Sequence, residues 1–342
     1  MRAAADVVVV GGGVVGMVAA VTLQQRGARV MVLAPDDTAN IVSAVAAAVW
    51  YPSHTEQDPR VLRWARETRT ELGRQAVNGV PGVVERPTRM LLRHRYAGPP
   101  WWADACGDLV AVAAEPPYTA LLRFTAPTVE MTPYLTWLRQ RLEAGGGRIV
   151  RRRLRRLADA FDTAPTVVNA TGLAAGQLAA DPAVHPVRGH LVLVANPGLT
   201  VSVRDEDDPA GITYVHPRRH DVVLGGTYQP GVGHTRPDPD TAAAIRRRCV
   251  ALVPELADAP VLGERIGLRP ARHGGPRVEV DPDPGGPRGS RLVHAYGHGG
   301  AGVTLSWGCA AEVADLALDG ADGRTPGRAT NPVRRHPLTG DA

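Results

Sequence analysis

The start of the chain contains a short apolar run, a longer mostly apolar segment and a second short apolar run. Residues 6–10 begin with Asp6 and continue as a β-branched apolar run, which is typical of a buried parallel strand. Residues 14–25 predict a helix that ends at Gly27, and residues 29–33 predict a second strand. This order of strand, loop, helix and strand indicates a βαβ unit at the start of the chain.

Longer periodic segments predict further helices, and shorter apolar runs predict strands. Thr132 is the expected N-cap of one helix, which we expect to stop at Gly145. The regions 78–130 and 187–230 favour strands separated by Pro and Gly turns, and residues 166–172 favour a strand that leads into a helix. The helices predicted after the first are 58–77, 132–144, 173–180, 240–253 and 302–318.

The loop before the first helix contains Gly11, Gly13 and Gly16, the pattern G-x-G-x-x-G. The first glycine allows a tight turn, the second lets a pyrophosphate approach the backbone, and the third lets the helix pack close to the strand. A second glycine cluster at residues 297–302 leads into the final predicted helix. Because helix N-termini attract negative charge, the two loops predict one large anionic cofactor. Asp36 is the nearest acid for its ribose hydroxyls, and a solvated acid in a turn is the alternative.

The composition narrows the possible chemistry. The 342 residues are 44% hydrophobic, which is enough for two domains with apolar cores. All 39 Lys/Arg positions are arginine, and the absence of lysine excludes a pyridoxal phosphate Schiff base, a lysine aldolase and a P-loop lysine. The three cysteines lack C-x-x-C spacing and the histidines lack an H-E-x-x-H pattern, so we expect a reducing compartment and no metal site.

The net charge of +5 raises the question of nucleic acid binding. The basic run at 151–156 has no interleaved aromatic residues and no accompanying binding module, which favours the solvated edge of a strand over a phosphate-binding patch. No apolar run reaches the roughly 18 residues that a membrane span needs. Glycines also interrupt the apolar N-terminus where a signal peptide would need a continuous core. We therefore expect a cytoplasmic protein that binds neither nucleic acid nor membrane.

The cofactor-type segments are scattered along the chain, and strand-rich segments lie between them. This arrangement predicts an α/β fold with a doubly wound, Rossmann-like dinucleotide-binding domain and an interleaved, mainly antiparallel β substrate domain, with the site at their junction. The predicted dinucleotide-binding domain comprises residues 1–75, 132–186 and 265–322, the predicted substrate domain residues 76–131 and 187–264, and the predicted mobile tail residues 323–342.

Several motifs resemble the D-amino-acid oxidase family of flavoproteins over nearly the whole chain. Two of them are specific to this group: G-E-R-I-G-L-R-P-A-R at 263–272 and L-V-H-A-Y-G-H-G-G-A-G at 292–302. The others are V-V-V-V-G-G-G-V-V-G (7–16), V-A-A-A-V-W-Y-P (45–52), V-V-N-A-T-G-L-A-A-G (167–176), V-R-G-H (187–190), G-I-T-Y-V-H-P (211–217) and L-G-G-T-Y (224–228). The resemblance implies that the cofactor is FAD and that the Rossmann-like domain binds it.

The resemblance implies a role for each matching residue of the substrate site. Arg269 falls where the family binds the substrate carboxylate, and a planar guanidinium suits such bidentate pairing. Tyr214 matches a tyrosine whose hydroxyl reaches the same carboxylate, and Tyr228 matches a second tyrosine of microbial members. The carbonyl of Gly300 matches the acceptor of the substrate amine. Ordinary ion pairing and aromatic packing are the alternatives for these side chains.

The resemblance also implies a set of cofactor contacts. Thr304 matches a contact to the flavin pyrimidine oxygens, where the dipole of the last helix would stabilise negative charge. Trp50 is expected near the flavin, with core packing as the alternative, and His294 is expected to be a structural support. The implied cofactor-binding residues are Gly11, Gly13, Val14, Val15, Gly16, Asp36, Ser43, Ala46, Ala47, Trp50, Leu154, Thr171, Gly172, Arg269, Gly299, Gly300, Gly302, Val303 and Thr304.

The implied activity is flavin-dependent oxidative deamination of D-amino acids, by hydride transfer from Cα to flavin N5 without a side-chain base. The imino acid would hydrolyse to a 2-oxo acid and ammonia, and O2 would reoxidise the flavin with release of hydrogen peroxide. The expected partners are therefore a D-amino acid, favoured as neutral, and O2, and a homodimer is a further possibility. A D-aspartate oxidase is the alternative, in which Arg204 or His54 would bind the distal carboxylate, although a surface ion pair with Asp205 would also explain Arg204.

The chain departs from the family pattern in two segments. Vertebrate members carry a tyrosine in a mobile lid, whereas residues 204–210 contain none, so we expect an open or differently closed site. Of residues 41–43, where hydroxyl contacts to the flavin are expected, only Ser43 can donate.

Two rival functions are a flavin-binding protein without turnover and a nicotinamide-dependent dehydrogenase. The presence of both Arg269 and Tyr214 argues against the first of these.

Overall fold

The computed structural model describes residues 4–35, 41–52 and 55–319. Asp36, His54 and the predicted tail at 323–342 lie outside the described residues, so the predictions made for them stay predictions. Within the described ranges the strands form one mainly parallel and one mainly antiparallel sheet. The predicted α/β fold class is thereby confirmed.

The strands follow one another along the chain with short and long connections between them. They are β1 (Val7–Val10), β2 (Val30–Ala34), β3 (Val83–Leu92), β4 (Val110–Ala113), β5 (Ala120–Val129), β6 (Arg148–Arg151), β7 (Thr166–Asn169), β8 (Val184–Ala195), β9 (Ser202–Asp205), β10 (Thr213–Pro217), β11 (Asp221–Gly225), β12 (Gln229–Pro230), β13 (Val261–Arg272), β14 (Arg277–Val280) and β15 (Arg291–Tyr296).

The helices surround these sheets. They are α1 (Val14–Gln25), α2 (Val42–Val45), α3 (Pro59–Val77), α4 (Ala103–Cys106), α5 (Met131–Ala144), α6 (Ala175–Leu178), α7 (Pro239–Leu252) and α8 (Gly302–Leu318). Short 3₁₀ turns occur at Leu157–Ala160, Gly172–Ala174, Pro254–Leu256 and Gly299–Ala301.

The first sheet has the order β14-β15-β7-β1-β2-β6, in which only β14 is antiparallel to its neighbour. All four valines of the central strand β1 are buried, as a continuous apolar run requires when both faces are covered. Val7 and Val9 pack in the cluster that includes helix α1, whereas Val8 and Val10 pack in a second cluster that includes Leu157. The basic run at 151–156 begins at the end of β6, the edge strand, as the solvated-edge interpretation predicts.

Helices α3 and α8 cross so closely that a glycine is required. A methyl group built on Gly308 would stand 2.4 Å from Trp64 Cα, well inside van der Waals contact. The Gly308 N–H donates to the Thr68 hydroxyl at 3.0 Å, and the Trp307 indole donates to the Tyr134 hydroxyl at 2.8 Å. These contacts fix α8, and therefore the position of its N-terminus, against the rest of the helical layer.

The second sheet has the order β12-β8-β11-β10-β9-β3-β5-β4. Strand β13 pairs with the edge of β8 that faces away from β11. All of the sheet's pairings are antiparallel except that between β3 and β9. Strand β13 was not predicted, and it pairs with β8 along almost its whole length. Two predicted domain boundaries, at 186/187 and 264/265, fall inside strands β8 and β13, and the domain division itself stays a prediction.

Most predicted helices start and end within a few residues of the observed ones. Asp58 and Asp238 cap α3 and α7, because each carboxylate accepts a backbone N–H of the first turn. The prediction of Thr132 as an N-cap is wrong: α5 begins at Met131 after Glu130, and no side chain caps it. No helix in the described ranges is long and apolar enough to cross a lipid bilayer.

Candidate functional site

Backbone contacts alone explain two of the three glycines in the first loop. Gly11 has φ +121°, and a methyl group there would lie 2.2 Å from the Ala170 carbonyl oxygen. A methyl group on Gly16 would lie 2.1 Å from the Gly11 carbonyl oxygen. On Gly13 it would meet only the Ser43 hydroxyl, at 3.3 Å. The protein's own packing therefore requires Gly11 and Gly16, while Gly13 keeps open a space that a ligand could use.

The N-termini of α1 and α8 lie side by side. A methyl group built on Gly302, the first residue of α8, would stand 3.8 Å from Val15 Cγ2 and 3.9 Å from Val14 Cγ1. The Val14 N–H donates to the Ser43 hydroxyl at 3.0 Å, so Ser43 is an acceptor at this end of α1. Two adjacent helix N-termini concentrate positive partial charge, which favours an anionic group beside them.

Thr304 joins α8 to the segment that follows α2. Its hydroxyl accepts the Tyr51 N–H at 3.1 Å and donates to the Tyr51 carbonyl at 3.2 Å, and the residue is buried. The hydroxyl proton is thus already used within the protein. If Thr304 contacts a flavin as predicted, the contact is expected from its backbone N–H in the first turn of α8.

The remaining predicted cofactor residues lie in several environments. The Trp50 side chain is completely buried, its indole donates to the Ala65 carbonyl at 2.9 Å and its ring packs edge-on against Trp102, which favours the core interpretation. Leu154 packs against the cluster on the Val8 face of the first sheet. Gly172 adopts φ +61° at the end of β7 and lies against Pro270 of β13. The other described members lie in the Gly11 loop, in residues 43–47, at Thr171 and in the 299–304 turn.

Arg269 lies on β13, directly opposite Val187 of β8. A methyl group built on Gly189 would stand 2.5 Å from Arg269 Nη1, so the guanidinium lies flat over a glycine. Its Nη1 donates to the Thr227 carbonyl at 3.1 Å. A methyl group on Gly300 would stand 3.4 Å from Arg269 Cδ, which brings the second glycine cluster into contact with this side chain. The structure thereby unites two predicted site residues from separate elements.

The strand register places Tyr214 on the same face as Arg269. Tyr214 is opposite Gly225, Gly225 is opposite Leu191, and Leu191 is opposite Arg265, four residues before Arg269 on β13. The other neighbour of Tyr214 across the sheet is Arg204 of β9. We call the face that carries Arg204, Tyr214 and Arg269 the pocket face.

Tyr214 is held by close contacts and stays protonated. Methyl groups built on Gly225 and Gly226 would stand 2.0 Å and 2.8 Å from its ring or hydroxyl, so these glycines make room for the phenol. The ring stacks on His216 with centroids 4.8 Å apart. Burial raises the pKa of Tyr214, and the charges of Arg269 and Arg204 oppose that shift only in part. The hydroxyl is therefore a hydrogen-bond donor at neutral pH. Tyr228, the second predicted tyrosine, has its ring centroid 5.9 Å from Arg269 Cζ.

The alternative explanation for Arg204, an ion pair with Asp205, is wrong. Arg204 is 5% exposed and pairs with Glu206, whereas Asp205 binds Arg93 at 2.8 Å. Neighbouring residues of a strand point to opposite faces, which separates Asp205 from Arg204. The Arg204 guanidinium also lies 3.7 Å from the ring centroid of Tyr51.

Sequence reasoning missed three residues of this region: Tyr51, Glu206 and His216. His216 follows Tyr214 by two positions on a strand, so the period of two could have placed it on the same face. Burial lowers the pKa of His216 well below its usual value, and the ring stays neutral. Nothing in the local pattern indicates that Glu206 turns back to Arg204.

Two further histidines of the family-specific motif are structural. His294 lies between Asn169, at 3.2 Å, and Asp281, at 2.8 Å, so both ring nitrogens have partners. His298 Nε2 lies 3.3 Å from Cys309 Sγ, and burial lowers the pKa of His298 to about 4. Both ring nitrogens of His294 are thus occupied, and the lowered pKa of His298 makes that ring a weak base. Among the described residues, no group of three His, Cys, Asp or Glu side chains could hold a metal ion.

Comparisons with known proteins show which proteins this chain resembles. A family model described as FAD dependent oxidoreductase matches residues 6–316. The D-amino-acid oxidase of Rubrobacter xylanophilus is 46% identical over 319 residues, covering 92% of this chain and 97% of that protein. The D-aspartate oxidase of Homo sapiens is 34% identical over 339 residues, covering 92% and 95%. Glycine oxidase from Geobacillus kaustophilus, a solved structure, has a TM-score of 0.77 at 22% identity, covering 93% and 95%, and this likeness concerns the fold alone.

Proposed function

The chain belongs to the FAD dependent oxidoreductase family, and within that family we propose that it oxidises D-amino acids to imino acids, with O2 as the final electron acceptor. The observation that carries the proposal is the pocket face, on which Arg269 and Tyr214 converge beside the backbone of Gly300. A D-amino-acid oxidase relative that is 46% identical and aligned over 92% of this chain supports the same activity.

The described residues fit a dinucleotide as large as FAD. Gly13 keeps a space that a side chain would narrow, and the start of α8 lies against Val14 and Val15 at the start of α1. The first-turn N–H groups of the two helices would hold the pyrophosphate and the anionic edge of the ring system. FAD, when bound, supplies the acceptor for the hydride that leaves the substrate Cα.

The side chains of the pocket face would then position the substrate. The Arg269 guanidinium pairs with the substrate carboxylate, and the protonated hydroxyl of Tyr214 donates to the same group. The carbonyl of Gly300 accepts from the neutral amine. Three fixed contacts would hold the Cα–H bond in a single direction. The rate would then depend on this orientation, which only one enantiomer can adopt.

No side-chain base is needed in this scheme. His298 is buried beside Cys309, and His216 is stacked on Tyr214, with the pKa of both imidazoles lowered by burial. The imino acid would leave and hydrolyse in water to a 2-oxo acid and ammonia. We propose neutral D-amino acids as the preferred substrates, because Arg204, the one described residue of the two candidates for a distal carboxylate, is already paired with Glu206.

The test is hydrogen peroxide release from matched D- and L-amino acids, including D-aspartate, by the purified yellow protein. We expect release with neutral D-forms and none with L-forms. Arg269→Ala should lower kcat/KM about 100- to 1000-fold, as expected when one member of a buried charge pair is lost, while bound flavin absorbance is retained. Arg123→Ala, which removes an exposed arginine from β5, at the other end of the same sheet, is the matched control. Equal turnover of Arg269→Ala and the control would contradict the assignment.

A further inference from the structure

We propose that Glu206 determines which D-amino acid side chains this enzyme accepts, by neutralising Arg204 on the pocket face. The inference rests on the proposed function and deepens it, since it names the residue that excludes acidic substrates. Four observations carry it: the register of Arg204, its burial, its ion pair and the unpartnered polar atoms around it.

Arg204 lies where the substrate side chain would reach. It is directly opposite Tyr214 in the sheet, so the two side chains share a face. Its guanidinium is stacked over Tyr51, whose backbone is bonded to Thr304 at the start of α8. Arg204 therefore lies between a residue that we assign to the substrate carboxylate and a residue that borders the predicted flavin site.

The positive charge of Arg204 is balanced by Glu206. A guanidinium that is 5% exposed is strongly destabilising without a partner, and the Glu206 carboxylate provides one. The Tyr51 hydroxyl donates to the other oxygen of Glu206 at 3.3 Å, which fixes the carboxylate in this position. Arg204, Tyr51 and Glu206 thus form a closed triad with no net charge.

Buried polar atoms without partners lie on the same face as the triad. Arg204 Nε, Ser202 Oγ and His216 Nδ1 are buried, and none of the three has a hydrogen-bond partner among the described residues. Ser202 and Arg204 lie two residues apart on β9, and His216 lies two residues after Tyr214 on β10, so they point to one face. Buried polar atoms without partners indicate a place where a ligand or water completes the hydrogen bonds.

This environment suits neutral side chains and opposes a second carboxylate. The distal carboxylate of D-aspartate would find no free cation here. It would lie beside the Glu206 carboxylate, and two neighbouring negative charges repel each other. Removing the charge of Glu206 while keeping its shape should release Arg204 for the substrate. Glu206→Gln does this, because an amide keeps the oxygen that can accept from Tyr51.

The experiment compares kcat/KM for D-aspartate with that for D-alanine in each variant. We expect Glu206→Gln to raise this ratio about 10- to 100-fold, the range for a hydrogen bond to a charged group. The matched control is Asp207→Asn, which removes the same charge from the next residue, where the carboxylate binds His94. The ratio should stay unchanged in the control. The gain should also disappear in the double variant Arg204→Met with Glu206→Gln.

A second measurement does not depend on turnover. Malonate and acetate are titrated into each flavin-loaded variant, and their dissociation constants are taken from the change in flavin absorbance. Glu206→Gln should tighten malonate relative to acetate by the same factor, and Asp207→Asn should not. If the wild-type protein oxidises no D-amino acid, the proposed function is wrong, and the malonate to acetate ratio still decides the role of Glu206.

Two outcomes would overturn the inference while leaving the proposed function intact. One is an unchanged preference in Glu206→Gln, both in turnover and in binding. The other is a selective loss of D-lysine oxidation without any gain for D-aspartate, which would make Glu206 a direct ligand of cationic side chains.

Discussion

The glycine loop before α1 and the pocket face of the second sheet are built by different means. In the loop, Gly11 and Gly16 are fixed by carbonyl oxygens 2.2 Å and 2.1 Å from where a methyl group would stand. On the pocket face, Arg204, Tyr214 and Arg269 come from three separate strands and are brought together by register. A site made by backbone contacts does not tolerate side-chain change, whereas a site made by side chains can change its ligand while the sheet stays intact.

The largest effect is therefore expected in the loop. Gly16→Ala places a methyl group 2.1 Å from the Gly11 carbonyl oxygen, so the start of α1 must shift away from β1. We expect a loss of at least about 3 kcal/mol in the free energy of unfolding, the upper part of the usual cost of overpacking. The protein should also lose its bound flavin. Chemical denaturation and the flavin absorbance of the purified protein measure the two effects.

A control separates crowding from backbone strain. Gly27 has φ +90°, but a methyl group built on it would have no atom within 4 Å, so Gly27→Ala should cost only about 1 kcal/mol through its left-handed backbone. The flavin should stay bound in this variant. A Gly16→Ala protein that kept full flavin and stability would show that the loop is as tolerant as the pocket face.

A smaller, pH-dependent effect tests the turn that leads into α8. Burial lowers the pKa of His298 from 6.5 to about 4, so the folded protein keeps this ring neutral in mild acid. The unfolded chain takes up the proton below pH 6.5, so the stabilisation is complete above that pH and is lost as the pH falls through 4. At about 1.4 kcal/mol per pH unit, roughly 3 kcal/mol is lost across this window.

The measurement is the free energy of unfolding between pH 7 and pH 4. His298→Asn should flatten the decline, leaving the part that belongs to His216 and His294, whose pKa values burial also lowers. His94→Asn removes an exposed histidine that binds Asp207 and serves as the control. If the unfolding free energy of His298→Asn declined as steeply as that of the wild-type protein, His298 would not be a cause of the decline.

The same contrast explains what the sequence could predict. The loop is local: a strand, three glycines and a helix within twenty residues, each with a known steric reason, so Val14–Gln25 was predicted to the residue. The pocket face depends on which strands are neighbours. The motif around Arg269 indicated its role only through a family resemblance, since β13 itself was not predicted.

Side-chain pairing was harder still to predict. An ion pair with Asp205 was the alternative explanation for Arg204, but the alternation of the strand sends Asp205 to Arg93. Glu206, beyond the end of β9, turns back to Arg204 instead. Such pairings are decided where a strand ends, by a loop conformation that periodicity does not contain. Gly13 is the reverse case: the sequence pattern indicates why a glycine stands there, whereas the structure shows only the Ser43 hydroxyl 3.3 Å from where a methyl group would stand.

The smallest expected effect is a change on the pocket face that leaves the fold intact. Tyr214→Phe removes a hydroxyl whose pKa is raised by burial, and which is therefore a donor throughout the neutral range. A hydrogen bond from this group to a substrate carboxylate is worth about 1.5–3 kcal/mol, so kcat/KM for a neutral D-amino acid should fall about 10- to 100-fold. The phenyl ring can still stack on His216, so flavin content and unfolding free energy should stay close to the wild-type values. Tyr118→Phe, at a ring beneath Arg93 and outside the pocket face, is the control and should retain full kcat/KM. If Tyr214→Phe instead lost flavin and stability together, the pocket face would be as rigidly coupled to the fold as the glycine loop.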